Sequence, residues 1–189
     1  MDLEARLREI LARRTPHRIR DQRLTPAAVL LPLYKKNGEY YLLFTQRTEQ
    51  LRHHKGQIAF PGGRYQPGDP SLLHTALRES EEEVGLKAED VHLLGDLDDV
   101  ATFSSLHVVT PFVGTIPYPY PFRLNRQEVA ALIEVPLAVL ADPATCREED
   151  RFSGDRPVRD YVFLYQGYRI WGVTARILRQ FLDLLSTHR

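Results

Sequence analysis

Gly62-Gly63-Arg64-Tyr65-Gln66-Pro67-Gly68-Asp69, followed by Arg78-Glu79-Ser80-Glu81-Glu82-Glu83-Val84-Gly85-Leu86, concentrates acids where a helix alone would not place them. Asp69-Pro70 offers an N-cap acceptor and a proline at the first helical position, where its missing N–H is not needed, so a helix is expected to begin there. From that start Leu73, Ala76, Leu77, Ser80 and Val84 share one stripe, and Gly85 suits the left-handed residue that closes a helix. At roughly 100° per residue, Glu79, Glu82 and Glu83 gather on a neighbouring flank while Glu81 points elsewhere. Repulsion from Glu79 onto Glu82 and Glu83 costs roughly 0.2–0.5 kcal/mol per pair, and Arg78 to Glu82 returns about one such increment. The helix dipole disfavours Glu82 and Glu83 in the last turn by up to ~1 kcal/mol each. A bare Glu-rich helix would be read as a solvated acidic face; the unfavourable helix end and the glycine-rich approach point instead to a metal site. Carboxylate oxygens on a rigid helix suit Mg²⁺ or Mn²⁺, which keep waters and accept substrate phosphates as remaining ligands. A phosphate-bearing small molecule is therefore the expected substrate.

The chain of 189 residues is long enough to bury a core, and a single domain spanning residues 1–189 is expected. Its 25 basic and 25 acidic residues cancel, leaving no general field for nucleic acid, so any polyanion must be read by a local cluster. Cys146 is the only cysteine, which rules out an intrachain disulfide, and the N-terminus lacks the apolar stretch of a signal peptide. No run approaches the ~20 apolar residues needed to cross a bilayer. A cytoplasmic protein with no membrane role fits these features. The sequence leaves a homodimer open.

Asp2 to Arg13 places Leu3, Leu7, Ile10 and Leu11 on one face, an amphipathic helix within an N-terminal extension (residues 1–25) expected to dock on the domain. Ala27 to Tyr34 and Tyr40 to Gln46 read as strands joined by Lys35-Lys36-Asn37-Gly38-Glu39, whose Asn-Gly pair signals a hairpin. Further strands are expected over Val91 to Leu97, His107 to Ile116 and Leu132 to Val135, with Ile116-Pro117-Tyr118-Pro119-Tyr120-Pro121-Phe122 as an exposed loop. Asp160 to Gln166 and Tyr168 to Trp171 flank Gly167 as a second hairpin. A C-terminal helix over residues 173–187 carries Ile177, Leu178, Phe181 and Leu185 at helical spacing. Hairpin-paired strands interrupted by helices imply a mixed sheet covered by helices.

At Gly63, Arg78, Glu79, Glu82, Glu83, Gly85 and Leu86 the chain resembles the Nudix hydrolases, whose signature is G-x5-E-x7-R-E-U-x-E-E-x-G-U with U aliphatic. Asp69 takes the first acidic place, eight residues separate it from Arg78 instead of seven, and Ser80 stands where the family has an aliphatic residue. The stretch from Leu43 to Gly63, with the spacing Arg52-x3-Gly56-x3-Phe60-Pro61-Gly62-Gly63, resembles a second motif found in the coenzyme A pyrophosphatase branch. Ile170-Trp171-Gly172-Val173-Thr174-Ala175-Arg176 also looks like the C-terminal segment of those enzymes. The resemblance covers most of the chain. It implies an α/β/α sandwich around a mixed β-sheet, and Mg²⁺- or Mn²⁺-dependent hydrolysis of coenzyme A or its derivatives to 3′,5′-ADP and 4′-phosphopantetheine or its acyl form. Another diphosphate, such as ADP-ribose, a dinucleotide or a nucleoside triphosphate, is the alternative substrate within that family. A catalytically silent nucleotide-binding module is the alternative from a different class, opposed by retention of all three glutamates.

On this reading Glu79 and Glu83, one turn apart, are the best ligand pair, Glu82 is the next, and the Gly63 carbonyl is a further candidate because glycine admits close approach. Glu128, within Asn125-Arg126-Gln127-Glu128-Val129, is the candidate general base, with Glu79 as runner-up; an ordinary solvated acid is an equal reading of Glu128. Arg52 leads the basic run Arg52-His53-His54-Lys55 as a phosphate reader, and Gly56, Gly62 and Gly63 join it as substrate-binding candidates. Arg78 is expected to orient the glutamates without touching substrate. No histidine pair has helical zinc spacing, so no zinc is assigned. Asp96, Asp98 and Asp99 are explained by turn chemistry.

Overall fold

The computed structural model describes residues 2–50, 55–102, 105–153 and 156–187, without side-chain detail for residues 151–158. Helix α1 (Leu3–Ala12) precedes the hairpin of β1 (Thr25–Lys36) and β2 (Glu39–Arg47). Short strands β3 (Ile58–Ala59) and β4 (Gly62–Arg64) lead into α2 (Leu72–Val84). Then come β5 (His92–Asp96), β6 (Val100–Ala101), β7 (His107–Thr115), β8 (Val129–Pro136) and α3 (Leu137–Leu140). Strands β9 (Cys146–Ser153), β10 (Arg156–Tyr165) and β11 (Tyr168–Trp171) form a separate small sheet before α4 (Gly172–Thr187).

Among the described residues the main sheet has eight strands, with β3-β2-β1-β7-β5 in line, β4 on β1, β6 on β7 and β8 on β2. It is mixed, because β1 and β7 run parallel from Thr25↔His107 to Leu33↔Thr115 while the other pairs are antiparallel. Strand β1 explains the layering. It is buried on both faces, so its alternate residues feed two cores. Leu31 and Leu33 join Leu7 and Leu11 of α1 and Ile177, Leu178 and Phe181 of α4. Ala28, Leu30 and Tyr34 meet Ala76 and Val84 of α2. The result is an α/β/α sandwich, as expected.

The Asn37-Gly38 turn forms with both residues at positive φ (52° and 87°), which aligns Lys36 with Glu39 across the hairpin. Helix α1 docks on the sandwich through Leu7, Ile10 and Leu11; Arg6 Nη2 donates to the Leu185 carbonyl (2.7 Å) and Tyr40 Oη to Asp2 Oδ1 (2.7 Å). Asp96, Asp98 and Asp99 do more than make a turn. They receive the segment after α1 through Arg14, Arg18 and the backbone N–H groups of His17 and Ile19. The 117–122 loop has no regular structure, with Tyr118 exposed and stacked on Tyr34.

The expected start of α2 is corrected. Ser71, not Asp69, caps it, accepting from the His74 N–H (3.1 Å), and the helix begins at Leu72. Asp69 is buried instead, because Thr75 and Arg78, one and two turns into the helix, take its carboxylate. The other end matches expectation: Gly85 is left-handed (φ 71°), its N–H donates to the Glu81 carbonyl (2.9 Å), and Leu86 is buried behind it. No helix among the described residues is long and apolar enough to cross a membrane.

Candidate active site

Strand β4 lays the Gly62-Gly63 turn beside β1, pairing Gly63 with Ala28 and Gly62 with Val29, directly under the acidic flank of α2. Two different constraints demand glycine there. A β-carbon on Gly62 would lie 2.3 Å from the Ala28 carbonyl oxygen, and its φ of 150° is one that other residues rarely adopt. A β-carbon on Gly63 would lie 2.4 Å from Oε2 of Glu79, so the missing side chain is the space that the Glu79 carboxylate occupies.

Glu83 is only 4% exposed, although it is an acid in the last turn of a helix. The Gly62 N–H donates to its Oε2 (3.2 Å), and the Arg47 guanidinium stands 3.9 Å from its Oε1, beyond hydrogen-bond reach. Burial dominates and pushes its carboxyl up to about 8, with the charges of Glu79 and Glu128 adding to the rise and Gly62 and Arg47 opposing it. Burial likewise raises the Glu79 carboxyl, against the pull of Arg78 and with added repulsion from Glu82 and Glu128. Glu128 is therefore close enough to act electrostatically on both helix acids.

Arg78 organises the other side. Its Nε and Nη2 grip Asp69 as a fork (2.9 and 3.0 Å), Nη1 donates to Glu79 Oε1 (2.8 Å) and to Glu82 (3.2 Å), and Nη2 reaches the Arg64 carbonyl (3.2 Å). Asp69 also accepts from the Gln66 N–H (3.0 Å) and Thr75 Oγ1 (2.8 Å), and Arg78 above all holds its carboxyl far below the usual carboxylate range. Glu82 stays 55% exposed at its side chain. The Glu128 loop is tied to the same place: Asn125 N–H donates to the Glu83 carbonyl (2.9 Å), Thr48 N–H to the Glu128 carbonyl (3.0 Å), and Asn125 Nδ2 to Glu128 Oε1 (3.1 Å).

The structure thus gathers Gly62, Gly63, Arg78, Glu79, Glu82, Glu83 and Glu128. Arg52, with His53 and His54, lies outside the described residues. Gly56 forms a turn at φ 64°, where a β-carbon would lie 2.4 Å from Oε1 of Glu49. Residues 23–153 match the model of the NUDIX domain, more than half of the chain. The chain belongs to the Nudix family.

A Nudix hydrolase named NudL from Yersinia pestis, itself uncharacterized, is 43% identical over 160 residues, covering 85% of this chain and 79% of the relative. Among solved structures, a MutT/nudix family protein from Enterococcus faecalis gives a TM-score of 0.60 at 14% identity, over 98% of this chain and 70% of the other. RenU, a Nudix hydrolase from M. smegmatis, gives 0.58 at 21% identity over 87% of each chain. These structures share the Nudix fold.

Nudix hydrolases generally need divalent metal ions, and the donors at this Nudix site fit one. Among the described residues no three His, Cys, Asp or Glu side chains converge as a preformed cage, because Arg78 draws Glu79 and Glu82 toward itself. Glu83, however, is a buried carboxylate whose one hydrogen-bond donor is the Gly62 N–H and whose ion pair with Arg47 is long (3.9 Å), a group that a bound cation would satisfy. The surrounding donors are oxygens throughout, which suits a hard ion. Arg47 is the site residue that sequence reasoning missed. It lies within the Leu43 to Gly63 motif stretch, but nothing in that stretch says which helix acid it meets, and only the fold carries it to Glu83.

Proposed function

We propose that this Nudix protein hydrolyses the diphosphate bond of coenzyme A or a derivative, yielding 3′,5′-ADP and 4′-phosphopantetheine or its acyl form, with Mg²⁺ or Mn²⁺. The observation that carries the hydrolytic part is Glu83, buried between the Gly62 N–H (3.2 Å) and a long ion pair to Arg47 (3.9 Å), with Glu79 and Glu128 acting on its charge. What supports coenzyme A over other diphosphates is the Arg52-x3-Gly56-x3-Phe60-Pro61-Gly62-Gly63 sequence, whose last two glycines lie at the acids.

In this reading Glu79, Glu82, Glu83 and the Gly63 carbonyl hold the cation. When bound, it neutralises charge on the diphosphate and makes a water more acidic. Glu128 takes the proton from the attacking water, whose oxygen bonds to phosphorus as the bridging P–O bond breaks. Asn125 holds the Glu128 carboxylate in place. Arg78, anchored by Asp69, fixes the carboxylates of Glu79 and Glu82 on α2 until a cation competes for them. Arg52 holds a substrate phosphate.

Product masses test this. Coenzyme A, an acyl derivative, ADP-ribose and a dinucleotide are each incubated with Mg²⁺ and with Mn²⁺; 3′,5′-ADP with the pantetheine phosphate from the first two, at higher kcat/KM, is the expected result. Preferred turnover of ADP-ribose or a dinucleotide would overturn coenzyme A as substrate. Absence of turnover on the whole panel with either ion would overturn the enzyme reading in favour of a nucleotide-binding module.

A further inference from the structure

Helix α2 ends with backbone carbonyls that a helix cannot pair internally. Two of them are taken by one passing segment: the Arg123 N–H donates to the Val84 carbonyl and the Asn125 N–H to the Glu83 carbonyl (both 2.9 Å). Gly85 lets that segment lie close, since a β-carbon there would stand 3.0 Å from the β-carbon of Arg123 and 3.1 Å from its nitrogen. Tyr120 fastens the same segment at its start. Its hydroxyl donates to Asp90 Oδ2 (2.8 Å), accepts from the Lys87 N–H (3.0 Å) and lies 3.4 Å from the Gly85 carbonyl oxygen, so all three contacts fall on the stretch that leaves α2. The Phe122 N–H donates to the Tyr120 carbonyl (2.9 Å), which turns the chain tightly ahead of Arg123.

The far end of the segment carries Glu128. The Asn125 carbonyl accepts from the N–H groups of Glu128 and Val129 (3.0 and 2.8 Å), its Oδ1 accepts from the Gln127 N–H (3.1 Å), and its Nδ2 donates to Glu128 Oε1 (3.1 Å). Glu83 therefore serves twice: its carboxylate meets the Gly62 N–H, and its carbonyl seats the turn that bears Glu128. Covering the core does not call for the Tyr120 hydroxyl, because the Tyr120 ring packs on Phe122 (centroids 4.9 Å apart) and both join Leu124 against the apolar cluster beneath α2. The hydroxyl fixes register, not burial. We propose that Tyr120 is a positioning residue: by locking residues 120–125 onto the end of α2 it sets where Glu128 stands against Glu79 and Glu83. This rests on the reading of Glu128 as general base, but not on coenzyme A as the substrate.

The test combines Tyr120→Phe, which keeps the ring, with Glu128→Gln in the full chain, using whichever diphosphate of the product panel is turned over fastest at saturating Mg²⁺. Tyr120→Phe should lower kcat by about three- to tenfold, the span of a neutral hydrogen bond, and leave KM within about twofold. Added to Glu128→Gln it should cost nothing further, because the group it places is gone. In the metal-free protein, amide hydrogen exchange at Arg123, Asn125 and Val129 should quicken in Tyr120→Phe while the β1 amides keep their rates. Unchanged kcat or unchanged exchange overturns the proposal. An equal loss of kcat with and without the Glu128 carboxylate overturns it too, since Tyr120 would then support the fold alone. Glu128→Gln at the wild-type rate overturns the assignment of the base and this proposal together, and absence of turnover across the panel overturns both along with the enzyme reading.

Discussion

Removing the charge of Glu83 is expected to stabilise the metal-free protein while it destroys the enzyme. A carboxyl raised from 4.5 to about 8 by burial obliges folding near pH 7 to protonate Glu83 or strand its charge, at ~1.36 kcal/mol per pH unit, or ~3 kcal/mol in all. Glutamine keeps an acceptor for the Gly62 N–H but brings an amide NH₂ to a site built without one, which offsets ~1–2 kcal/mol. Glu83→Gln should then be more stable by ~1–2 kcal/mol, raising Tm by about 2–8 °C for a chain of this length. The sign with pH follows from the raised value. Between about 4.5 and 8 the folded state keeps a proton that the unfolded state has released, so wild-type stability falls as pH rises through that window. The variant lacks this slope, so the two curves cross inside the window, and in acid the variant is the less stable by the ~1–2 kcal/mol that its amide costs. Scanning calorimetry in EDTA across the window measures both. Excess Mg²⁺ should reverse the order, because only the wild type gains a ligand for the cation. A variant no more stable than wild type in EDTA near pH 8, or pH curves that run parallel, would show that protein groups already compensate the buried charge.

Gly63→Ala should lower turnover by about a hundredfold with little change in Tm, since the new methyl would displace the Glu79 carboxylate, the end of a side chain that can swing aside. Gly62→Ala should instead unfold the protein readily, because its methyl meets β1 backbone, and thermal melts of the two variants separate the cases. Asp69→Asn should lower Tm and turnover together by freeing Arg78; because Asp69 titrates below the usual range, its stabilisation is present at neutral pH and the gap to wild type closes only as pH falls below about 4. Arg52→Ala should cost about ten- to a hundredfold in kcat/KM on coenzyme A and less on a diphosphate lacking the 3′-phosphate or pantetheine arm, with equal losses on every substrate counting against a specific reader.

Periodicity and turn chemistry made most of the sandwich legible. Leu7, Ile10 and Leu11, the Asn37-Gly38 turn and the stripe on α4 each obey a local rule that the tertiary fold reinforces. The failures lie where local chemistry is neutral. Strand β9 reads Cys-Arg-Glu-Glu-Asp-Arg-Phe-Ser, which has no apolar alternation; it is a strand by its pairing with β10. Asp69 was legible as an acceptor but not as to its donor: a cap needs only the next few N–H groups, while the Arg78 fork two turns away becomes available only once α2 has formed. The Asp96, Asp98 and Asp99 group shows the same limit, since its partners at Arg14 and Arg18 lie some eighty positions upstream.

The departures from the Nudix signature are absorbed locally, which is why they leave the acids in place. Aspartate is shorter than glutamate and stands one residue farther from Arg78 than the signature has it, two changes that could have broken the fork. The segment 66–69 turns back on itself, with Asp69 N–H donating to the Gln66 carbonyl and Gln66 N–H to Asp69 Oδ2 (both 3.0 Å), and this brings the shorter carboxylate to full contact with Nε and Nη2. Ser80, in place of an aliphatic residue, is buried and donates its hydroxyl to the Ala76 carbonyl (2.7 Å), so no polar atom is left stranded in the core beneath Glu79 and Glu83. Each change is compensated by hydrogen bonds close by in the chain, within the 66–69 turn for Asp69 and within one helical turn for Ser80. That is the physical reason the irregular signature still delivers Glu79 to Gly63 and Glu83 to Gly62.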